Sequence, residues 1–499
     1  WWPLSSTLPV APLAVGIITQ GCGVHAAGVD AEASPEAPHD CFVSAESFVE
    51  CCCGSSPTCK GASFEACCRH LLSSCREGTA AGALAAERGS RLCADSQQSA
   101  AASAAVAQRS RYREAGRPQL HFTARRNWLN DPNGLVYLDG EFHLFFQHNP
   151  VSKEWGHMTW GHAVSSDLLH WRQLPLAILP DHNGDAWSGS AVVDWRNSSG
   201  LQRPGAAPPL VAIYTNSPDR GEFGRPFDQR LAFSRDRGRS WSKLPGAVLP
   251  PLPCSGRGRP GEGCPYARDP KVEWHEASRQ WVMALWLQNY TFALLASGDL
   301  RSWEVLQHLA VPVPGNRECP DFFELAIAGS GGTGTATKLE RRWVFWTAGG
   351  KYLVGRFDGR RFVASGHPRG AEYATGYAAQ TFSGEPSGRR VQISWLRHCV
   401  WGRDVPFSQQ MSFPAHLDLV QMQDGLHVRR RPVSELASLR LQPPLLGLSA
   451  KVLRPEAPVR AQARGEGRAL EARLKVLIPR GAAVAVTLLG LEIKLVADA

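Results

Sequence analysis

The sequence predicts an all-β protein: a five-bladed β-propeller followed by an incomplete β-sandwich, with an N-terminal Cys-rich segment. Three observations carry this prediction. Short apolar runs broken by Gly, Pro, Asn and Asp are common, whereas long runs of helical periodicity are scarce. A turn motif that ends in Trp recurs along the middle of the chain. Ten of the 14 Cys fall within the first 93 residues.

The middle of the chain supplies the propeller. Leu135 to Leu138 and Glu141 to Phe146 flank Asp139-Gly140, a pair that two-residue hairpin turns prefer. Ser165, Asp167, Leu168 and Trp171 recur in spacing as Ser297, Asp299, Leu300 and Trp303. Ser234, Asp236 and Trp241 follow the same pattern with one insertion, and the stretch from Gly355 through Asp358 to Phe362 reads as a degenerate copy. The Trp residues lie 70 and 62 residues apart. A period of that size holds the four short strands of a propeller blade, so about 320 residues give about five blades. Residues 117–435 are assigned to it. Residues 436–499 contain further strand candidates and read as the start of a β-sandwich that is cut short, since about 60 residues make a marginal core.

The N-terminal side has a different texture. Residues 1–40 are read as a leader or signal-peptide remnant. Residues 8–18 are apolar but too short to span a membrane. Residues 41–93 form a Cys-rich module, in which Phe48 to Cys52 is echoed by Phe64 to Cys68. Dense, even Cys usage favours disulfides over zinc, whose paired Cys spacing is missing, and implies an oxidising compartment. Residues 94–116 read as a linker. An extracellular or secretory location follows, in which Asn197 and Asn289 would be glycosylation sequons. The net charge of +9 comes with scattered Arg pairs and no basic helix, so no nucleic-acid partner is expected. The 17 Trp exceed the 8 Tyr; most should fill cores, and the remainder suit a sugar-binding surface. Oligomeric state is not legible.

Several polar motifs adjoin strand candidates: Asn130-Asp131-Pro132-Asn133-Gly134, Trp187-Ser188-Gly189, Arg268-Asp269-Pro270, Glu318-Cys319-Pro320-Asp321 and Tyr377-Ala378-Ala379-Gln380. On the repeat count each belongs to a different blade. If each sits on its blade's innermost strand, all converge at one end of the central channel. A lone Asp-Pro reads as a turn. Three acids from three blades read instead as glycoside-hydrolysis chemistry, in which one carboxylate attacks and a protonated one serves the leaving oxygen. Crowded carboxylates raise one another's pKa and keep such a donor neutral.

These motifs, with His121-Phe122-Thr123, Phe145 to Pro150, Trp155 to His162 and Ser188 to Asp194, closely resemble the signature of glycoside hydrolase family 32, which includes invertases, levanases and exo-inulinases. The resemblance spans about residues 117–440. It implies a retaining, exo-acting β-fructosidase on sucrose or a fructan such as inulin or levan. Asp131 would be the nucleophile, Glu318 the acid/base and Asp269 the transition-state stabiliser, with the Asp131 and Glu318 carboxyls about 5–5.5 Å apart. Substrate contacts are expected from Asn130, Asn133, Gln147, Trp155, Trp187, Ser188, Arg268 and Phe407. No cofactor and no metal are implied. Phe407 stands where many relatives carry Trp, and would stack on a sugar without an indole donor. An Asp usual before the Tyr377 motif has only Glu372 or Thr375 nearby. Cys319 reads as a buried thiol, His157 and His162 as structural, and Cys254 with Cys264 as either a bridge or a free pair. The alternatives are a fructosyltransferase using the same intermediate and a non-catalytic carbohydrate-binding propeller.

Overall fold

The computed structural model describes residues 112–440 except 113, 115, 220–223, 253–263, 313–317, 330–339, 371–375 and 398–404, together with four strands outside that range. Those strands belong to a separate unit of residues 1–21 and 441–499. In it Val15–Thr19 pairs antiparallel with Leu470–Leu474, and Ala483–Leu488 forms a hairpin with Leu491–Val496. Residue 15 to 19 pairing falls inside the stretch read as a leader. The Cys-rich module lies outside the described residues, as do Glu372 and Thr375.

The larger unit carries five antiparallel blades. Blade I comprises Asn127–Leu138, Glu141–Asn149, Thr159–Ser165 and Arg172–Ile178. Blade II comprises Asp185–Val193, Leu210–Ser217, Asp228–Ser234 and Ser242–Lys243, and blade III Arg268–His275, Gln280–Gln288, Thr291–Ser297 and Glu304–Ala310. Blade IV is built on Asp321–Ala326, Arg341–Trp346, Lys351–Phe357 and Phe362–Ala364, and blade V on Tyr377–Thr381, Arg390–Leu396, Ala415–Met422 and Gly425–Pro432. The first strand of each blade is innermost, and neighbouring inner strands meet around the ring. The ring closes between blades V and I, where Tyr137 N–H donates to the Ser383 carbonyl and Ser383 N–H to that of Leu135.

The repeated motif is the turn between third and fourth strands. In blades I, II and III the Ser hydroxyl donates to the Asp at 2.9, 2.7 and 3.1 Å. The same Asp accepts two backbone N–H groups beyond it, and the Trp indole N–H closes onto a turn carbonyl. Asp358 does likewise in blade IV, accepting from the N–H groups of Arg360 and Arg361. The Asp139-Gly140 hairpin is also present, with both residues at positive φ, 49° and 86°.

The cores lie between blades. Val192, Val211 and Leu231 of blade II meet Val272, Met283 and Leu285 of blade III, and Phe292 of blade III meets Phe322 and Phe345 of blade IV. Face-to-face packing of twisted sheets thus buries both faces of most inner and second strands, which is why several of them lack clean alternation. Trp160, Trp281, Trp286, Trp343 and Trp346 are buried in these layers.

Candidate active site

Four of the five inner strands share an irregularity at the same level. Register shifts fall between Leu129 and Pro132, Ala186 and Gly189, Arg268 and Lys271, and Tyr377 and Gln380. A bulge re-aims side chains and frees the strand from its neighbour. Backbone strain marks the same level, with positive φ at Asp269 (64°), Glu318 (56°), Cys319 (42°) and Ala378 (51°). The result is a ring of polar side chains at one end of the channel, one set from each blade.

Asp131 of blade I accepts a hydrogen bond from the Ser188 hydroxyl of blade II at 2.7 Å. Asp269 of blade III accepts the Cys319 N–H at 3.0 Å, and the Cys319 thiol lies 3.4 Å from Asp269 Oδ2 and 3.7 Å from Asp131 Oδ2. Glu318 precedes the inner strand of blade IV. Arg268 Nη2 donates to its Oε2 at 2.7 Å, and the Tyr377 hydroxyl of blade V donates to its Oε1. Trp286 lies beneath the Arg268 guanidinium at 4.2 Å and fixes its plane.

The acids perturb one another. Loss of water pushes Asp131 up to about 6; the Ser188 hydrogen bond opposes this and the Glu318 charge adds to it. Burial pushes Asp269 up to about 7, with Arg268 pulling it down and Glu318 and Asp131 pushing it further up. Burial and the neighbouring carboxylates hold the Cys319 thiol far above its usual value, so it is a neutral thiol donor. A carboxyl held by a hydroxyl, beside a second carboxyl held by an arginine and a phenol, has the parts for acyl- or glycosyl-type substitution.

The remaining predicted contacts divide into two groups. Trp155, 48% exposed, stands edge-on at 5.6 Å to Trp187, the residue before Ser188. Asn130 accepts the Trp128 indole N–H at 2.9 Å. Asn133 and Gln147 are buried, and Gln147 donates to the Ala186 carbonyl of blade II at 3.1 Å. Gln147 thereby fastens blade I to blade II. Phe407 departs from the expectation of sugar stacking. It is 1% exposed, pairs with Asn127 alongside the inner strand of blade I, and is covered by the Arg117 guanidinium at 3.9 Å. Tyr377 was missing from the expected contacts, although it heads one of the five converging motifs; its bond to Glu318 needs tertiary structure to be seen. His162 is stacked on Phe145 and bonded to His143, a structural role. Cys264 is disulfide-bonded, and Cys254 lies outside the described residues.

Residues 121–432 match the model of the glycosyl hydrolases family 32 N-terminal domain. The chain belongs to glycosyl hydrolase family 32. Among family relatives, it is 38% identical to a levanase of Bacillus subtilis over 68% of this chain and 50% of that protein. It is 31% identical to the extracellular exo-inulinase of Aspergillus niger over 68% of this chain and 69% of that one. The solved exo-inulinase of Aspergillus awamori superposes with a TM-score of 0.57 at 30% identity, covering 65% of this chain and 68% of that one. A fructofuranosidase of Schwanniomyces occidentalis complexed with fructose gives a TM-score of 0.55 at 31% identity, over 64% and 63% of the two chains. The chain spans half the length of the levanase it matches.

Proposed function

We propose that this family 32 chain is a retaining, exo-acting β-fructosidase that releases fructose from sucrose or from a fructan. The observation that carries this is the convergence of Asp131, Asp269 and Glu318 from three blades on one pocket, tied together by Cys319, Arg268 and Tyr377. Relatives named levanase, exo-inulinase and invertase support the substrate class. The extracellular name of the fungal relative supports secretion.

In the first half-reaction the Asp131 carboxylate attacks C2 of the terminal fructosyl unit, and the bond from C2 to the leaving oxygen breaks. Glu318 gives its proton to that oxygen. Arg268 on Oε2 and the Tyr377 hydroxyl on Oε1 fix the plane of the Glu318 carboxyl for that transfer. Asp269 accepts hydrogen bonds from the fructosyl hydroxyls as positive charge spreads over C2 and the ring oxygen. In the second half Glu318 takes a proton from water, the hydroxide attacks C2, and Asp131 is released.

The test is turnover of sucrose, inulin and levan, with methanol added to trap the intermediate. The expected product is methyl β-fructofuranoside beside free fructose, with activity lowered by at least about a thousandfold in Asp131→Asn and Glu318→Gln. Release of the α-glycoside would rule out retention. Inert wild-type protein on all three substrates would rule out the function.

A further inference from the structure

Among the described residues only two Trp side chains are largely exposed, Trp155 at 48% and Trp195 at 59%. Trp155 stands beside the acid pocket. Trp195 stands at the opposite mouth of the channel, on a recess of about 410 Å³ between the ends of the inner strands. Val136, Val192 and Glu273 line it, and they follow Asp131, Ser188 and Asp269 by five, four and four residues along the same strands. At up to about 3.3 Å per residue, and less across the bulges, the recess lies roughly 10–16 Å along these strands from the level of the acids. A sugar in the acid pocket cannot also touch it.

The side chains around the recess are tied to one another. Arg196 lies over the Trp274 ring at 4.8 Å and pairs with Glu276 at 3.0 Å. The Trp274 indole N–H donates to the same Glu276, and Trp274 packs edge-on to Trp281 at 5.0 Å. Glu273 is held by Arg390 at 3.1 Å. Two carboxylates therefore face two guanidiniums, and the local charge balances. An ion of either sign gains little there. A neutral molecule with many hydroxyls gains both kinds of contact: apolar C–H faces on the Trp195 ring and hydroxyls on the Glu276 and Arg196 rim.

We infer that this recess is a second carbohydrate site, which holds an internal stretch of a neutral fructan chain apart from the acid pocket. The inference rests on the fructosidase function proposed above for the substrate class. An exo-acting pocket grips only the chain end, so a second grip raises the local concentration of ends without touching the chemistry.

The experiment uses the full chain carrying Asp131→Asn, run on native gels containing inulin or levan, with excess fructose to fill the acid pocket. Retardation is expected, and adding Trp195→Ala is expected to weaken it at least fivefold, with Glu276→Gln weakening it further. In the active chain Trp195→Ala should keep kcat/KM for sucrose within twofold while lowering it several-fold for the long polymer through KM. No retardation of the parent on either polymer, or equal retardation after Trp195→Ala, overturns the inference. If the wild-type chain leaves sucrose intact, the proposed function fails; the gel comparison still decides the site, with the melting temperature as the control for folding.

Discussion

Asp131 carries an internal conflict. The nucleophilic role proposed for it needs the anion, yet the surroundings raise its carboxyl to about 6, chiefly by removing water, with the Glu318 charge adding to the effect. The sign for stability follows from the unfolded value near 4. A carboxyl whose folded pKa is raised binds more protons in the folded state between about pH 4 and 6, so stability falls as pH rises through that window and then stays level. The shift of about two units corresponds to a few kcal/mol, and the part of Asp131 open to the pocket reduces this to on the order of 2 kcal/mol. Asp131→Asn is therefore expected to abolish turnover yet raise the melting temperature by a few degrees at pH 7. At pH 4 that gain should vanish. Calorimetry at both pH values checks this, and an equal gain at both would contradict it. If Asp131 is the nucleophile, kcat/KM of the wild type is expected to fall below about pH 6, approaching tenfold per unit.

At the scale of the element, the turns were readable and the bulges were not. The Ser, Asp and Trp of each third turn act on one another within a few residues, so their spacing is itself the structure. The acid motifs were readable as a set because each lies within or just before an inner strand. The burial of Asn133, Gln147 and Phe407 was not, since it depends on which partner strand or guanidinium covers each one. Nor was the bond from Tyr377 to Glu318, which joins residues 59 apart in sequence. Gly189 shows what a bulge demands. A Cβ there would collide with the Ile213 carbonyl oxygen and stand 2.6 Å from the Tyr214 Cα, both backbone of the adjacent strand. Gly189→Ala is expected to pry apart the first two strands of blade II, at about 2–4 kcal/mol, and to displace Ser188 from Asp131. Urea titration with a sucrose assay checks both effects; unchanged stability would mean that blade II yields freely at the bulge.

For the whole propeller, the question is how five separate sheets hold one pocket in register. Polar stitches between inner strands do this below the acids. Ser190 of blade II donates to the Pro270 carbonyl of blade III and accepts the Val272 N–H, each at 2.9 Å. Gln380 of blade V reaches the Gly189 carbonyl of blade II at 2.9 Å. The strongest stitch is Lys271 of blade III, 2% exposed. Its ammonium donates to the Thr381 carbonyl of blade V at 2.6 Å and lies 3.6 Å from Asp321 of blade IV, whose other oxygen accepts the Thr381 N–H. One cation thus ties together the three blades that carry Asp269, Glu318 and Tyr377. Burial raises the Asp321 carboxyl, and Lys271 is the first charge that opposes it. Lys271→Met leaves that carboxyl buried without its cation, which costs about 3–5 kcal/mol. Adding Asp321→Asn removes the orphaned charge, so the double variant should be more stable than Lys271→Met alone by on the order of 2 kcal/mol. Chemical denaturation of the four proteins of this cycle measures the coupling. If the two losses simply add, Lys271 and Asp321 are independent, and the blades are held in register by the apolar layers between them.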